Sequence, residues 1–140
     1  MKFNIKYIYF LLLPALYIIF LGADIRNEEL QSSDWKAPAE ADKLKNPLKD
    51  LAKASELGEE LFNVQCAICH GESGTGDGIA GVGLTPRPAD LTSERVQKQS
   101  DGAIFWKITT GKPPMASYES IYSDEQRWQL VAYIRNLGKK

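Results

Sequence analysis

Cys66, Cys69 and His70 place two thiols three residues apart, with an imidazole directly after the second. On a helical turn, residues three apart share a face, so both sulfurs reach one edge of a flat ligand while the adjacent ring swings beneath its centre. This C-x-x-C-H spacing suits one covalent haem c, its two vinyl groups taken up by Cys66 and Cys69 and its iron ligated by His70. The chain has 2 Cys and 1 His, so no second arrangement of these residue types can be written.

Other chemistries need more than these residues supply. A dithiol redox motif belongs after a strand in a βαβ unit, whereas helical periodicity precedes Cys66. Half a zinc site would need two further Cys or His ligands. The Gly-rich stretch after His70 lacks a phosphate-loop Lys and carries Glu72 and Asp77, which repel phosphate and do not fit a calcium loop.

Haem iron takes a sixth ligand unless it is to bind gas or peroxide. Beyond the initiator the one Met is Met115, in Gly111-Lys112-Pro113-Pro114-Met115. A Met after a Gly and two Pro sits on a stiff loop and can hold a weak thioether against iron. A core-filling Met is the alternative, but core Met falls on a periodic apolar face and this one does not. Thioether ligation raises the potential relative to two nitrogen ligands.

The elements that must position these residues read as helices. Asn46-Pro47 has the form of a helix start, with Asn capping and Pro at the first helical position. Leu48, Leu51, Leu57, Leu61 and Val64 recur at helical spacing up to Cys66, with a possible break near Ser55. Residues 71–90 are too rich in Gly and Pro for a long regular element and must be a loop. Ser100-Asp101 caps a short helix carrying Ile104, Phe105 and Ile108, ended by Gly111. Ser123 with Gln126 forms a capping box ahead of Trp128, Leu130, Val131, Tyr133, Ile134 and Leu137. No internal repeat or alternating strand pattern appears. The expected fold is all-α, three to four short helices in a small domain around one haem, whose large apolar surface helps so thin a core.

At the N-terminus the run 7–23 is apolar, preceded by Lys2 and Lys6 and followed by acidic residues. Its length lies between a secretory h-region and a bilayer span. Leu21-Gly22-Ala23 puts Leu at the outer cleavage position, which favours an uncleaved anchor. Residues 1–23 are thus a signal peptide or an N-terminal membrane anchor, residues 24–45 a polar tether, and 46–140 the haem domain. With 17 basic and 18 acidic residues in 140, there is no basic footprint for nucleic acid, and net charge does not reveal a partner.

From Leu57 to Leu137 the chain resembles the class I c-type cytochromes, in Gly58, Phe62, Cys66, Cys69, His70, Gly71, Gly76, Gly78, Leu84, Pro86, Met115, Tyr118 and Tyr133. The resemblance implies that the N-terminal helix crosses the C-terminal one where Gly58 permits close approach beside Phe62 and Tyr133. It implies further that a Pro carbonyl near Pro86 accepts the His70 ring N–H and that Leu84 packs on the haem face. One departure is Ala116, where the family has Pro after the ligand Met; this loosens the far side of the loop. Trp35 to Pro47, Gly76-Asp77-Gly78, Phe105-Trp106-Lys107-Ile108 and Arg127-Trp128 are more narrowly similar to the monohaem subunits of bacterial alternative complex III.

The resemblance implies single-electron transfer by one covalent haem c and its iron, with no catalytic residues. Implied partners are redox proteins: a membrane quinol-oxidising complex, and a terminal oxidase or soluble carrier. The place is the periplasmic side of the bacterial inner membrane, held by residues 7–23 or reached as a soluble protein after cleavage. A haem peroxidase or nitric oxide-handling protein with an open sixth site is the alternative, but His70 is spent and no distal His remains.

Overall fold

The computed structural model describes residues 35–139, so the segment assigned to targeting or anchoring lies outside the described residues. Among the described residues there are five α-helices, a 3-10 turn at Ala41–Lys43 and no strand beyond one isolated bridge. The fold is all-α, as the periodicity predicts. Among the same residues no helix is long and apolar enough to cross a membrane.

Helix α1 spans Leu51–Gln65, with Asp50 as its cap accepting from the Lys53 backbone at 2.9 Å. The start expected at Asn46-Pro47 is therefore set four residues too early. Asn46 is committed elsewhere: its Oδ1 accepts from Leu48 N at 3.0 Å and its Nδ2 donates to the Trp128 carbonyl at 3.2 Å. No break occurs at Ser55. Ala54, Gly58 and Phe62, spaced by four, form the buried stripe.

That stripe meets α5, Asp124–Leu137, which Ser123 and Gln126 open with the expected capping box. A Cβ on Gly58 would lie 2.1 Å from the Gln129 carbonyl oxygen, so only Gly lets the helices approach this closely. Beside the crossing, Phe62 and Tyr133 pack with centroids 5.2 Å apart at 54°, an aromatic pair adding about 1 kcal/mol to their burial.

Between them lie α2, Ala67–His70, α3, Glu94–Gln97, and α4, Asp101–Thr110. Ser100 Oγ caps α4 by accepting from Ala103 N at 3.0 Å, and Gly111 ends it at φ 64. Phe105 of α4 stacks on Trp128 of α5 at 4.1 Å, and the buried Arg127 guanidinium lies over the same ring. Ile104 and Ile108 join Leu130, Val131 and Ile134 in the core.

The described part of the polar stretch 24–45 is docked on α4. Ala41 is buried, and a Cβ on Gly102 would lie 1.8 Å from its carbonyl oxygen. Ser100 Oγ donates to Asp42 at 2.6 Å, Trp35 meets Trp106 at 6.3 Å, and Lys107 Nζ sits over the Trp35 ring. Few hydrophobic residues are needed because backbone and indole rings make these contacts.

Candidate functional site

Helix α1 hands over to α2 through Cys66, whose N–H still donates to Phe62 O at 2.8 Å. Cys69 N and His70 N both donate back to Cys66 O, which places the three side chains on one continuous turn. Gly71 stops the turn at φ 78, where an L side chain would be strained and the Asp77 carboxylate leaves no room for a Cβ. The following loop is bonded to the motif itself, Gly76 N to His70 O at 2.7 Å and Ala80 N to Ile68 O at 2.9 Å.

His70 Nδ1 donates to the Ala89 carbonyl at 3.0 Å. A carbonyl only accepts, so the ring proton sits on Nδ1 and the Nε2 lone pair is left to bind a metal. Burial lowers the His70 pKa below its ordinary value, outweighing the Ala89 bond, and so keeps the ring neutral as ligation requires. The acceptor expected near Pro86 is thus Ala89, three residues later. Leu91 packs against the core cluster, and Leu84 is half-buried. A backbone acceptor leaves no residue type to recognise.

Cys66 and Cys69 form no disulfide with each other, and burial, with Cys69 adding to it, pushes the Cys66 thiol up to about 12. A dithiol redox centre works through a thiol whose pKa is lowered, which is the opposite condition.

Met115 lies on a separate loop after α4, half-buried, its N–H donating to Lys112 O at 2.8 Å. Ala116 was expected to loosen the far side. Instead Ser117 Oγ donates to Thr109 O at 2.7 Å and Tyr118 N to Ile108 O at 3.1 Å, closing the loop on α4. Tyr118 Oη then reaches the Gln65 carbonyl at 3.4 Å, tying the Met115 loop to the residue before Cys66. Tyr118 is pushed up to about 12 by burial and by the neighbouring Cys66, Tyr122 and Cys69, and its ring stacks on Tyr122 at 5.7 Å. This tyrosine pair beside the cysteines is a feature that sequence reasoning left unassigned to the site.

Residues 55–138 match the Cytochrome c family. The chain belongs to the cytochrome c family. It is 33% identical over 89 residues to a cytochrome c6 of Nostoc sp., covering 64% of this chain and 74% of that protein. It is 34% identical over 89 residues to cytochrome c-554(547) of Halothiobacillus neapolitanus, covering 57% and 92% respectively. Among solved structures it is similar to a chain of the Kuenenia stuttgartiensis reducing HAO-like protein complex, at a TM-score of 0.58 and 27% identity. That match takes in 67% of this chain and 49% of the other, so this cytochrome c spans about half of that chain's length. A cytochrome c of this family is a haem electron-transfer protein with covalently bound haem c and its iron. The donor set of this chain fits that group: two sulfurs on one helical turn, a neutral imidazole with its outer nitrogen free, and a thioether on a closed loop.

Proposed function

We propose that this cytochrome c carries single electrons through one haem c, which Cys66 and Cys69 would hold by thioether bonds and whose iron His70 Nε2 and Met115 Sδ would ligate. The observation that carries the reading is the His70 bond to Ala89, which fixes the ring tautomer on the turn that bears both thiols. The bound group supplies one-electron chemistry at iron. The chain's own residues do the rest: Ala89 orients the imidazole, the closed 111–118 loop holds Met115, and the core of Ile104, Ile108 and Leu130 keeps water away.

No bond is made or broken in this role, so the chain is a carrier rather than an enzyme in its own right. Its partners are redox proteins in a bacterial respiratory chain. We place it as a subunit of a quinol-oxidising membrane complex of the alternative complex III kind, passing electrons to a terminal oxidase or soluble carrier. Support comes from Trp35, Trp106 and Trp128, which carry the narrower resemblance and are all packed in or on the domain. The proposed organisation is a signal peptide or anchor over 1–23, a tether over 24–45 and the haem domain over 46–140, on the periplasmic side of the inner membrane.

Purification from membranes, followed by intact mass and visible spectrum, tests the proposal. The expected result is the added mass of one haem that survives acid extraction, with the N-terminal mass reporting cleavage. A colourless protein with two free thiols, from a host able to attach haem, would overturn it. An open-site peroxidase or nitric oxide protein would instead bind carbon monoxide readily in the untreated ferrous state.

A further inference from the structure

The residues that would hold the haem stand on two separate pieces of chain. Cys66, Cys69 and His70 share the turn after α1, whereas Met115 stands on 111–118 after α4. Each piece is fixed on its own. The turn closes on Cys66 O, while the loop is bonded to itself and to α4: Gly111 N to Lys107 O at 3.0 Å, Met115 N to Lys112 O at 2.8 Å, Ser117 Oγ to Thr109 O at 2.7 Å. Among the described residues, one hydrogen bond runs from 111–118 to α1 or α2, from Tyr118 Oη to the Gln65 carbonyl at 3.4 Å.

The acceptor is available because the helix kinks at the cysteines. Cys69 N, the amide that an unbroken helix would offer to Gln65 O, donates instead to Cys66 O at 3.1 Å, so the Gln65 carbonyl is left for a side chain. The donor is aimed by its neighbours. Ile121 N and Tyr122 N both donate to Tyr118 O, and the Tyr122 ring lies parallel to the Tyr118 ring, 5.7 Å away at 9°. Both rings are within electrostatic reach of Cys66. An ordinary O–H···O bond is about 2.7 Å long, so this one is weak and opens readily.

We propose that Tyr118 is a positioning residue for Met115, its hydroxyl latching the 111–118 loop to the turn that bears Cys66, Cys69 and His70, so that release of this bond frees the sixth position for a small neutral ligand. The inference rests on the proposed function, since it takes Met115 as the sixth ligand. When the latch opens, the Ser117 and Tyr118 bonds to Thr109 and Ile108 persist, and the loop pivots on α4 rather than unfolding. The exchange replaces one neutral ligand by another, with no electron or proton transferred. The latch thus divides two uses of one iron, electron carriage when closed and ligand binding when open.

The test uses the ferric haem-loaded protein, with imidazole as the entering ligand, and follows loss of the Met–iron charge-transfer band by stopped flow. At saturating imidazole, where opening limits the rate, Tyr118→Phe should exchange roughly twofold to fivefold faster than wild type, because it keeps the ring and loses only the bond. Its spectrum before mixing should be unchanged. Tyr122→Phe is the control, since the Tyr122 hydroxyl makes no hydrogen bond among the described residues, and it should exchange at the wild-type rate. Equal rates for Tyr118→Phe and wild type, or equal acceleration in both variants, overturn the latch and leave Met115 as the ligand. A wild-type ferric protein without the band overturns Met115 ligation and the latch with it.

Discussion

His70 and Ala89, 19 positions apart, are joined by a 3.0 Å bond from the ring Nδ1 to a backbone carbonyl. The loop between them thereby decides which imidazole nitrogen is available to a metal. In the haem-loaded protein the Nδ1 proton should persist in NMR spectra with exchange at least tenfold slower than for an exposed imidazole, about 1.4 kcal/mol of protection. A proton found on Nε2 would show that this tautomer is wrong.

Met115 supplies the second prediction. Its replacement by Ala should lower the reduction potential, since thioether ligation favours ferrous iron. A tenfold change in relative stabilisation corresponds to about 59 mV for one electron, and the shift should exceed that. An unchanged potential would remove Met115 from the coordination sphere.

Gly58 tests the crossing of α1 and α5. Gly58→Ala puts a Cβ 2.1 Å from the Gln129 carbonyl oxygen, which backbone cannot yield without separating the helices. The loss should be about 1 to 3 kcal/mol, and each kcal/mol should lower the melting temperature by about 4 to 8 °C. Thermal unfolding at the wild-type temperature would refute the close approach.

Gly102 gives a prediction of opposite sign to simple propensity. In a free helix Gly→Ala stabilises by up to about 1 kcal/mol, but here the added carbon meets the Ala41 carbonyl at 1.8 Å. Gly102→Ala should therefore lift the docked N-terminal residues. Hydrogen exchange at the Lys43 and Leu44 amides, which close the 3-10 turn, should quicken by about tenfold while the visible spectrum stays the same. Slower exchange would mean that the segment does not rest on α4.

Alkaline pH probes Tyr133. Its hydroxyl donates to Glu59 at 3.4 Å, and its pKa is raised by burial first and then by the charge and bond of that carboxylate. A folded value above the unfolded value of about 10 means that the neutral ring's contribution is intact below about pH 10. It is lost as pH climbs through the folded value. Between pH 9 and 11, urea unfolding of the wild type should lose more stability than that of Tyr133→Phe; equal losses would place the titration elsewhere.

Local signals in the sequence carried well where the partner is also local. Ser123 with Gln126, Ser100 before α4 and the C-x-x-C-H turn each involve residues three or four apart, and all are found as expected. Signals failed where a side chain or carbonyl serves a distant element. Asn46 looks like a cap but spends its amide on Trp128, 82 residues away, so α1 waits for Asp50. Ala89 accepts through its backbone, which no residue type advertises. The tether's docking uses Gly102 as a seat, and a Gly in a helix reads from sequence only as a weakness.

The close seat at Gly58 also sets an order of events. Phe62, one turn before the cysteines, cannot be covered until Tyr133 arrives, and Glu59 finds Tyr133 74 positions later. Closing so long a loop is slow compared with winding a helix. Until α5 docks, the stripe of Ala54, Gly58 and Phe62 on α1 therefore stays open to solvent.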